Sequence, residues 1–269
     1  MSKRIAILFY IFLSINSIAQ THLSNTDLKL QLVKEVRGYL IDSLKLNVGE
    51  KFYTEFVDTD SLFYYVYVSQ KDMVKKVTHD AYIYFGNHPT DARLKADSFT
   101  QIGFDVMVYK TAGTSSAFLN KRLLEYDDLS LTFILIHEAI HRHKYNTGSK
   151  ILYEYEEALC DVVANAYCGW MSHSSVKNYV DFVYRNEKIY QLINECAEHK
   201  TTSSETQKKI VKQLKQGTLF QNDRFNYPIN NAFLLRYSNY STHYFELAKW
   251  FVKKGKRIEA IKEYLAAQK

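Results

Sequence analysis

The chain is poor in the residues that build flexible linkers, because only 2 of its 269 residues are proline and 9 are glycine. It contains no low-complexity segment, which argues against long unstructured connections. Tyrosine and phenylalanine are abundant instead, at 22 and 16 residues, and 46% of the chain is hydrophobic. This composition predicts one sizeable, aromatic-rich domain over residues 20–269.

Basic runs interleaved with aromatic residues are also missing, and the formal net charge of +6 is mild. Nucleic-acid binders normally show such runs or a much stronger positive balance. Nucleic acid is therefore not predicted as a partner.

The N-terminus has the parts of a secretion signal over residues 1–19. Lys3 and Arg4 precede an apolar stretch at residues 5–13, and Ser17-Ile18-Ala19 is a small-x-small cleavage site before Gln20. A membrane span needs about 20 apolar residues, so this stretch is short for one. We expect a periplasmic or secreted protein with no stable membrane span after leader cleavage, an uncleaved anchor being the alternative.

Cysteine is scarce and odd in number, with Cys160, Cys168 and Cys196 as the complete set. On one helix Cys160 and Cys168 would lie about 12 Å apart, too far for a disulfide. A single bridge to Cys196 is the only pairing left. Three free, buried thiols without catalytic roles are the favoured interpretation.

Hydrophobic periodicity divides the chain into two parts of an α+β fold. Capping residues and a helical repeat predict a helix over residues 24–46, and aromatic, β-branched runs predict strands at 52–56, 62–68, 81–85 and 104–109. Everything from residue 117 onward is predicted helical. We therefore expect a small N-terminal antiparallel or mixed sheet with a flanking helix over residues 20–116, followed by a mainly helical part over 117–269.

The motif His137-Glu138-Ala139-Ile140-His141 carries the strongest functional signal. On a helix, histidines four residues apart lie on one face with the glutamate beside them. Two neutral imidazoles bind Zn²⁺ well, and the carboxylate can take a proton from a water molecule on the metal. The motif predicts His137 and His141 as zinc ligands and Glu138 as the catalytic base.

The surroundings of the motif favour a buried helix. Asp127 and Asp128 can cap its N-terminus, the residues at 129–136 are mostly apolar, and Gly148 can end it. Histidines on such a face are costly without a partner, since buried polar groups need a hydrogen bond or a metal. Two core histidines bonded to carbonyl groups are the structural alternative.

A catalytic zinc takes three protein ligands and one water, so a further ligand is expected downstream. The next predicted helix, over residues 151–171, carries the acidic pair Glu157 and Asp161. We predict Glu157 as the third ligand of one zinc ion per chain, and Asp161 as the acceptor of a ligating histidine's free ring N–H. Glu154 and Glu156 are rivals by proximity, but neither has an acid four residues further on.

The combination of His-Glu-x-x-His with Glu-x-x-x-Asp resembles the gluzincin metallopeptidases, the class that contains thermolysin. The mature chain also resembles the bacterial putative zinc aminopeptidase family, a group of exported or membrane-attached gluzincin-like proteins. This resemblance implies a zincin-like catalytic part and removal of N-terminal residues from peptides. The segments that carry it are residues 44–46, 52–68, 103–106, 115–118, 136–141, 157–159 and 230–232, with Tyr240.

The resemblance also names candidates for substrate binding. In gluzincins the edge strand of the N-terminal sheet pairs with an extended substrate, which makes Phe104 and Val106 candidates here. Asn230 and Asn231, in the segment that distinguishes the family, are two more. A zinc peptidase usually needs a donor for the developing oxyanion, commonly a tyrosine or histidine from a later helix. Tyr240 is the preferred donor; the alternatives are Tyr237, His243 and Tyr244.

These residues together predict an exported zinc-dependent peptidase, with a peptide as substrate and with exo- or endopeptidase action open. A non-catalytic peptide-binding or scaffold protein stabilised by zinc is the alternative from another class. An intact Glu138 argues against it, since a structural site needs the ligands but not the base. A zinc hydrolase of non-peptide substrates would use the same residues.

Overall fold

The computed structural model describes residues 24–71, 82–114, 118–198 and 230–268. The predicted leader at 1–19 and the stretch 199–229 of the predicted helical part lie outside these ranges. The described elements are α1 (Asn25–Gly38), a π-helical turn (Tyr39–Ser43), β1 (Phe56–Val57), β2 (Phe63–Ser69), β3 (Tyr84–Gly86), α2 (Pro89–Gln101), β4 (Asp105–Thr111), β5 (Leu119–Asn120), α3 (Lys121–Leu124), α4 (Asp128–Thr147), α5 (Tyr153–Met171), α6 (Val176–Glu198), α7 (Asn231–Ser241), α8 (Tyr244–Lys253) and α9 (Ile258–Ala266).

The larger sheet is antiparallel, with strand order β3-β2-β4. Its register sets Tyr65 opposite Tyr109 and Val66 opposite Val108. Because side chains alternate between the faces of a strand, the tyrosines face the main core while the valines pack with α2 on the other side. The predicted strands at 62–68 and 104–109 are confirmed to within two residues.

Two secondary-structure predictions are wrong. Residues 50–53 form a turn, in which Tyr53 has a positive φ of 48°, so only Phe56–Val57 of that region is a strand. Aromatic content suggested a strand there, but Phe52 and Tyr53 instead bury their rings in the main core. The region after residue 117 is not wholly helical either, since β5 pairs with β1 in a parallel two-stranded sheet.

Helices α4 and α5 form the hairpin that the sequence predicts. Asp127 caps α4 by accepting a hydrogen bond from the Ser130 N–H at 2.9 Å. Gly148 ends α4 in the left-handed conformation, at φ 72°, which favours glycine at this position. The helices are antiparallel, because His137 near the middle of α4 contacts Asp161 of α5 while Lys144 near the end of α4 contacts Glu156.

Helix α7 joins the helical part to the sheet. It packs against α5, α6, β2 and β4, and almost every one of its residues is buried. The described chain is thus a mixed α+β structure with small sheets and a predominance of helix. Among the described residues, no helix combines the length and the apolarity needed to cross a membrane.

Candidate metal centre

The two motif histidines lie one turn apart on α4, and their Nε2 atoms are 3.0 Å from each other. His137 is buried, with 8% of its surface exposed, and His141 is half-buried. Both rings contact carboxylates of α5, the helix against which α4 packs. The spacing predicted from the sequence therefore does bring the two imidazoles together.

Each imidazole is held by a carboxylate of α5 at its other nitrogen. His137 Nδ1 lies 2.7 Å from Asp161 Oδ1, and His141 Nδ1 lies 2.7 Å from Glu156 Oε1. A carboxylate accepts hydrogen bonds, so each ring carries a proton on Nδ1, and Nε2 is the nitrogen that can bind a metal. With a metal bound, both rings would be neutral and both Nε2 lone pairs would face it. Without one, burial lowers the pKa of both histidines, but the acidic groups around the imidazoles raise it well above its usual value.

Asp161 lies at the ring nitrogen of His137 that faces away from His141, the position expected of an orienting acid. Its second carboxylate oxygen accepts a hydrogen bond from the Tyr190 hydroxyl of α6, so both of its oxygens are engaged. Glu156 acts in the same way on His141, and its Oε2 is 2.9 Å from Lys144 Nζ. From the sequence, Glu156 was only a rival ligand. Its contact with His141 joins two helices, so spacing within one helix does not reveal it.

Glu157 completes a triangle with the two histidines. Its carboxylate oxygens lie 3.4 Å from His137 Nε2 and 3.5 Å from His141 Nε2. Burial alone would raise the pKa of Glu157, but His141 and His137 opposite hold it well below its usual range. Its Oε2 is buried and has no hydrogen-bond partner among the described residues. A metal cation in the site would pair with this buried anionic oxygen.

Cys160 is a second neighbour of the histidine pair. His137, His141 and Cys160 form a group able to hold a metal ion, with ligand atoms that all lie within 4.8 Å of one another. Burial raises the pKa of the Cys160 thiol, so it stays protonated in the absence of a metal. The other two cysteines are also free and buried, which confirms the prediction of three buried thiols.

The donor set fits zinc by chemistry and by spacing. Ligand atoms about 2.0–2.1 Å from a tetrahedral zinc are about 3.3–3.4 Å apart, close to the three separations of 3.0, 3.4 and 3.5 Å. Glu157 and Cys160 compete for the third position. Glu157 is the better candidate, since it lines the open cavity, its pKa is held well below the usual value by the two histidines, and its Oε2 has no hydrogen-bond partner among the described residues.

A cavity of about 290 Å³ opens beside the histidines. Glu138 lines it next to His137 and His141, and burial raises the pKa of this glutamate. A carboxylate with a raised pKa accepts a proton more readily near neutral pH. Nine of the twenty described residues that line the cavity are tyrosines: Tyr65, Tyr67, Tyr82, Tyr109, Tyr126, Tyr153, Tyr190, Tyr237 and Tyr240.

The structure separates the four candidate oxyanion donors. Tyr240 and Tyr237 line the cavity, and the Tyr240 ring stacks at 6.0 Å on that of His137. His243 instead stacks on Tyr155 at 3.6 Å, and the Tyr244 hydroxyl accepts a hydrogen bond from Asn165. Burial raises the pKa of Tyr240 well above its usual value, so its hydroxyl stays a donor.

The four predicted substrate-binding residues all lie outside the described cavity wall. Asn230 caps α7 and donates a hydrogen bond to the Val106 carbonyl on the outer edge of β4. The Asn231 side chain donates to two backbone carbonyls after β2. Phe104 and Val106 pack toward α2 on the opposite face of the sheet. The hydrogen bonds of Asn230 and Asn231 therefore hold α7 against the sheet.

Arg236 of α7 is the cavity residue that the sequence analysis missed. It follows the apolar segment Ala232-Phe233-Leu234-Leu235 and comes four residues before Tyr240, so the two share a helix face. A charged residue within such a run was an available signal. Tyrosines of β2 and β4 were hidden from sequence analysis, because only the sheet register places them at the same cavity.

Comparison with known proteins gives no relative for this chain: no protein-family model matches it, and neither a curated protein nor a solved structure is significantly similar. The geometry of the site is therefore the basis for its function.

Proposed function

We propose that this protein is a zinc-dependent hydrolase that cleaves peptide bonds. The observation that carries the proposal is the convergence of His137 Nε2, His141 Nε2 and the Glu157 carboxylate at 3.0–3.5 Å from one another on a cavity wall. Each histidine is oriented by its own carboxylate, which is typical of metal ligands. His137, His141 and Glu157 would hold one zinc ion per chain.

Zinc in this position would polarise the scissile carbonyl and make a water molecule more acidic. Glu138 accepts a proton from the attacking water and passes it to the amine as the carbon–nitrogen bond breaks. Its raised pKa suits it to both steps. Tyr240 donates a hydrogen bond to the oxygen on which negative charge develops. Asp161 and Glu156 keep the imidazoles in place throughout.

The tyrosine-rich cavity suits an extended peptide. Tyrosine rings supply apolar contact area while their hydroxyls can bond to a peptide backbone. The secretion signal predicted at residues 1–19 supports action outside the cytoplasm. A zincin-like catalytic part and aminopeptidase action remain what the family resemblance implies.

Cys160 supports a second candidate function, a zinc-stabilised binding or scaffold protein. If Cys160 joined the two histidines and Glu157, four protein ligands would surround the metal. Structural zinc sites are closed in this way, whereas catalytic sites keep one position for water. The half-buried Glu138 in the cavity would then have no role.

The test compares purified mature protein with the Glu138→Gln variant. Both should contain about one zinc per chain, because Gln keeps the size of the side chain and does not disturb the ligands. Peptides with free and blocked N-termini, offered as a mixture and separated by mass spectrometry, should be cleaved by the wild type and at least about 10²-fold more slowly by the variant. Zinc-loaded wild-type protein that cleaves nothing in a broad peptide mixture would refute the peptidase function and favour the scaffold alternative.

A further inference from the structure

Arg236 is a buried cation on the cavity wall, with 6% of its surface exposed. Among the residues that the structure describes, no carboxylate lies within 4.0 Å of it, and its Nε is buried without a hydrogen-bond partner. Removing a guanidinium from water without an anion costs free energy. Arginines buried for structural reasons normally have such an anion, so this one requires an explanation.

Aromatic rings enclose the guanidinium instead. Its Cζ lies 3.7 Å from the ring centre of Tyr109, 4.8 Å from that of Tyr240, 4.9 Å from that of Tyr237 and 5.6 Å from that of Tyr67. Cation–π contacts hold the group in position. Burial raises the pKa of Tyr67 and Tyr240, so these phenols are neutral and supply no countercharge.

Tyr240 links the guanidinium to the candidate metal centre. Arg236 Cζ is 4.8 Å from the Tyr240 ring centre, which is 6.0 Å from that of His137. The separation between Arg236 Cζ and the centre of the His137 ring is therefore at most the sum of these two distances. One extended residue spans about 3.3–3.6 Å. A peptide with its scissile bond at the centre would reach Arg236 within roughly one to three residues.

From these observations we propose that Arg236 binds a carboxylate of the substrate. The proposal rests on the proposed peptidase function, which it narrows to peptides with a carboxylate a few residues from the scissile bond. A planar guanidinium can donate two parallel hydrogen bonds to a carboxylate, and the surrounding rings hold it oriented before the substrate arrives. The substrate then supplies an anion that the described residues do not.

The carboxylate has two possible sources, a free peptide C-terminus or an acidic side chain. A C-terminal source would make the enzyme cleave near that end, in contrast to the aminopeptidase action that the family resemblance implies. Both sources present a carboxylate to Arg236, and a different change to the peptide removes each of them. Amidation removes the first, and replacement of Glu by Gln in the peptide removes the second.

The test measures binding and does not require turnover. Zinc-loaded Glu138→Gln protein is titrated calorimetrically with two pairs of probes: N-acetyl-Phe-Phe as the free acid and as the amide, and the amide-blocked peptides N-acetyl-Phe-Glu-Phe and N-acetyl-Phe-Gln-Phe. We expect the acid member of at least one pair to bind about 10-fold or more tightly than its neutral partner, as for a charged hydrogen bond formed out of water.

Variants then assign this preference to Arg236. Arg236→Met keeps the length of the side chain and removes the charge, so the acid and neutral probes should bind equally. Arg236→Lys keeps the charge without the planar fork and should retain only part of the preference. Arg93→Met, on the exposed face of α2, is the matched control and should retain all of it.

The outcomes are distinct. No preference in either pair, or a preference that survives in folded Arg236→Met, overturns the proposal, and the first comparison does not depend on any change at Arg236. If Arg236 stabilised the oxyanion instead, Arg236→Met would lower kcat equally on acid and blocked peptides. The acid and neutral probes would then bind with equal affinity even when Arg236 is present. Absence of hydrolysis by wild-type protein would refute the peptidase function but leave the binding comparison valid.

Discussion

Asp161 Oδ1 lies 2.7 Å from Nδ1 of His137, across the interface between α5 and α4. This contact fixes which nitrogen of His137 carries the proton and turns the other toward Glu157. Glu156 and His141 repeat the relationship one turn away, at the same distance of 2.7 Å. The two pairs make the helix hairpin a rigid frame for a cation, and several predictions depend on it.

The first prediction concerns the third ligand. Glu157→Ala should lose most of the bound zinc, because it removes the anionic oxygen that faces both imidazoles. Cys160→Ala should keep about one zinc per chain and its activity, since Glu157 still completes the set. Zinc content of dialysed protein by atomic emission is the measurement. Equal zinc loss in the two variants would show that both residues are ligands of a closed site.

The second prediction concerns the two orienting carboxylates. Asp161→Asn and Glu156→Gln should each weaken zinc binding by about 10–100-fold, because an amide cannot accept from the ring as strongly and can present its NH₂ group instead. Competition with a fluorescent chelator measures the affinity. Asp97→Asn, an exposed change on α2, is the control. Unaltered zinc affinity in Glu156→Gln would contradict the orienting role of Glu156 at His141.

The third prediction concerns the oxyanion donor. Tyr240→Phe should retain zinc and fold while lowering kcat on a peptide by about 10²–10³-fold, the usual effect of removing one such donor. Tyr237→Phe is the matched comparison, because that tyrosine lines the same cavity. A loss of kcat in Tyr237→Phe alone would assign the oxyanion donor to Tyr237. Full activity in both variants would show that neither tyrosine is the donor.

The fourth prediction concerns stability and pH at His143, a buried residue of α4. Its Nδ1 accepts a hydrogen bond from the Asn47 N–H at 2.9 Å, and burial together with Lys262 lowers the pKa of His143 below 6.5. Between the folded and unfolded pKa values the unfolded chain binds more protons. The stability contributed by neutral His143 is therefore complete above about pH 6.5 and decreases as the pH falls below it.

Thermal unfolding at pH 7.5 and pH 5.5 tests this sign. In metal-free protein, the melting temperature of His143→Gln should fall less from pH 7.5 to pH 5.5 than that of the wild type. Glutamine can accept the hydrogen bond from the Asn47 N–H but does not titrate. His88→Gln, at an exposed position before α2, should behave like the wild type. A pH dependence unaltered by His143→Gln would show that this histidine is not the titrating group.

The fifth prediction concerns export. Protein isolated from its native host should begin at Gln20, since the predicted leader ends at Ala19. N-terminal sequencing decides this directly. Material that still begins at Met1 would remove both the leader and the assignment to the periplasm or the exterior.

Much of the site was determined by the sequence itself, because its key spacings are local. His137 and His141 are four residues apart, and any helix places them on one face. The same holds for Glu157 and Asp161 on the next helix. Gly148 ends the first helix, so the short connection makes the two helices adjacent and antiparallel. The candidate ligands, the candidate base and one candidate orienting acid follow from these local spacings.

Only the tertiary structure decided which distant groups reach the site. Glu156 faces His141 because of the rotation of α5 against α4, which no spacing within one helix reveals. Among four possible donors, the packing of α7 brought Tyr240 to the cavity and left His243 stacked on Tyr155. It also brought Arg236 beside the tyrosines of β2 and β4. The contacts of Arg236 with Tyr67 and Tyr109 join segments more than a hundred residues apart, and they depend on the packing of α7 against β2 and β4.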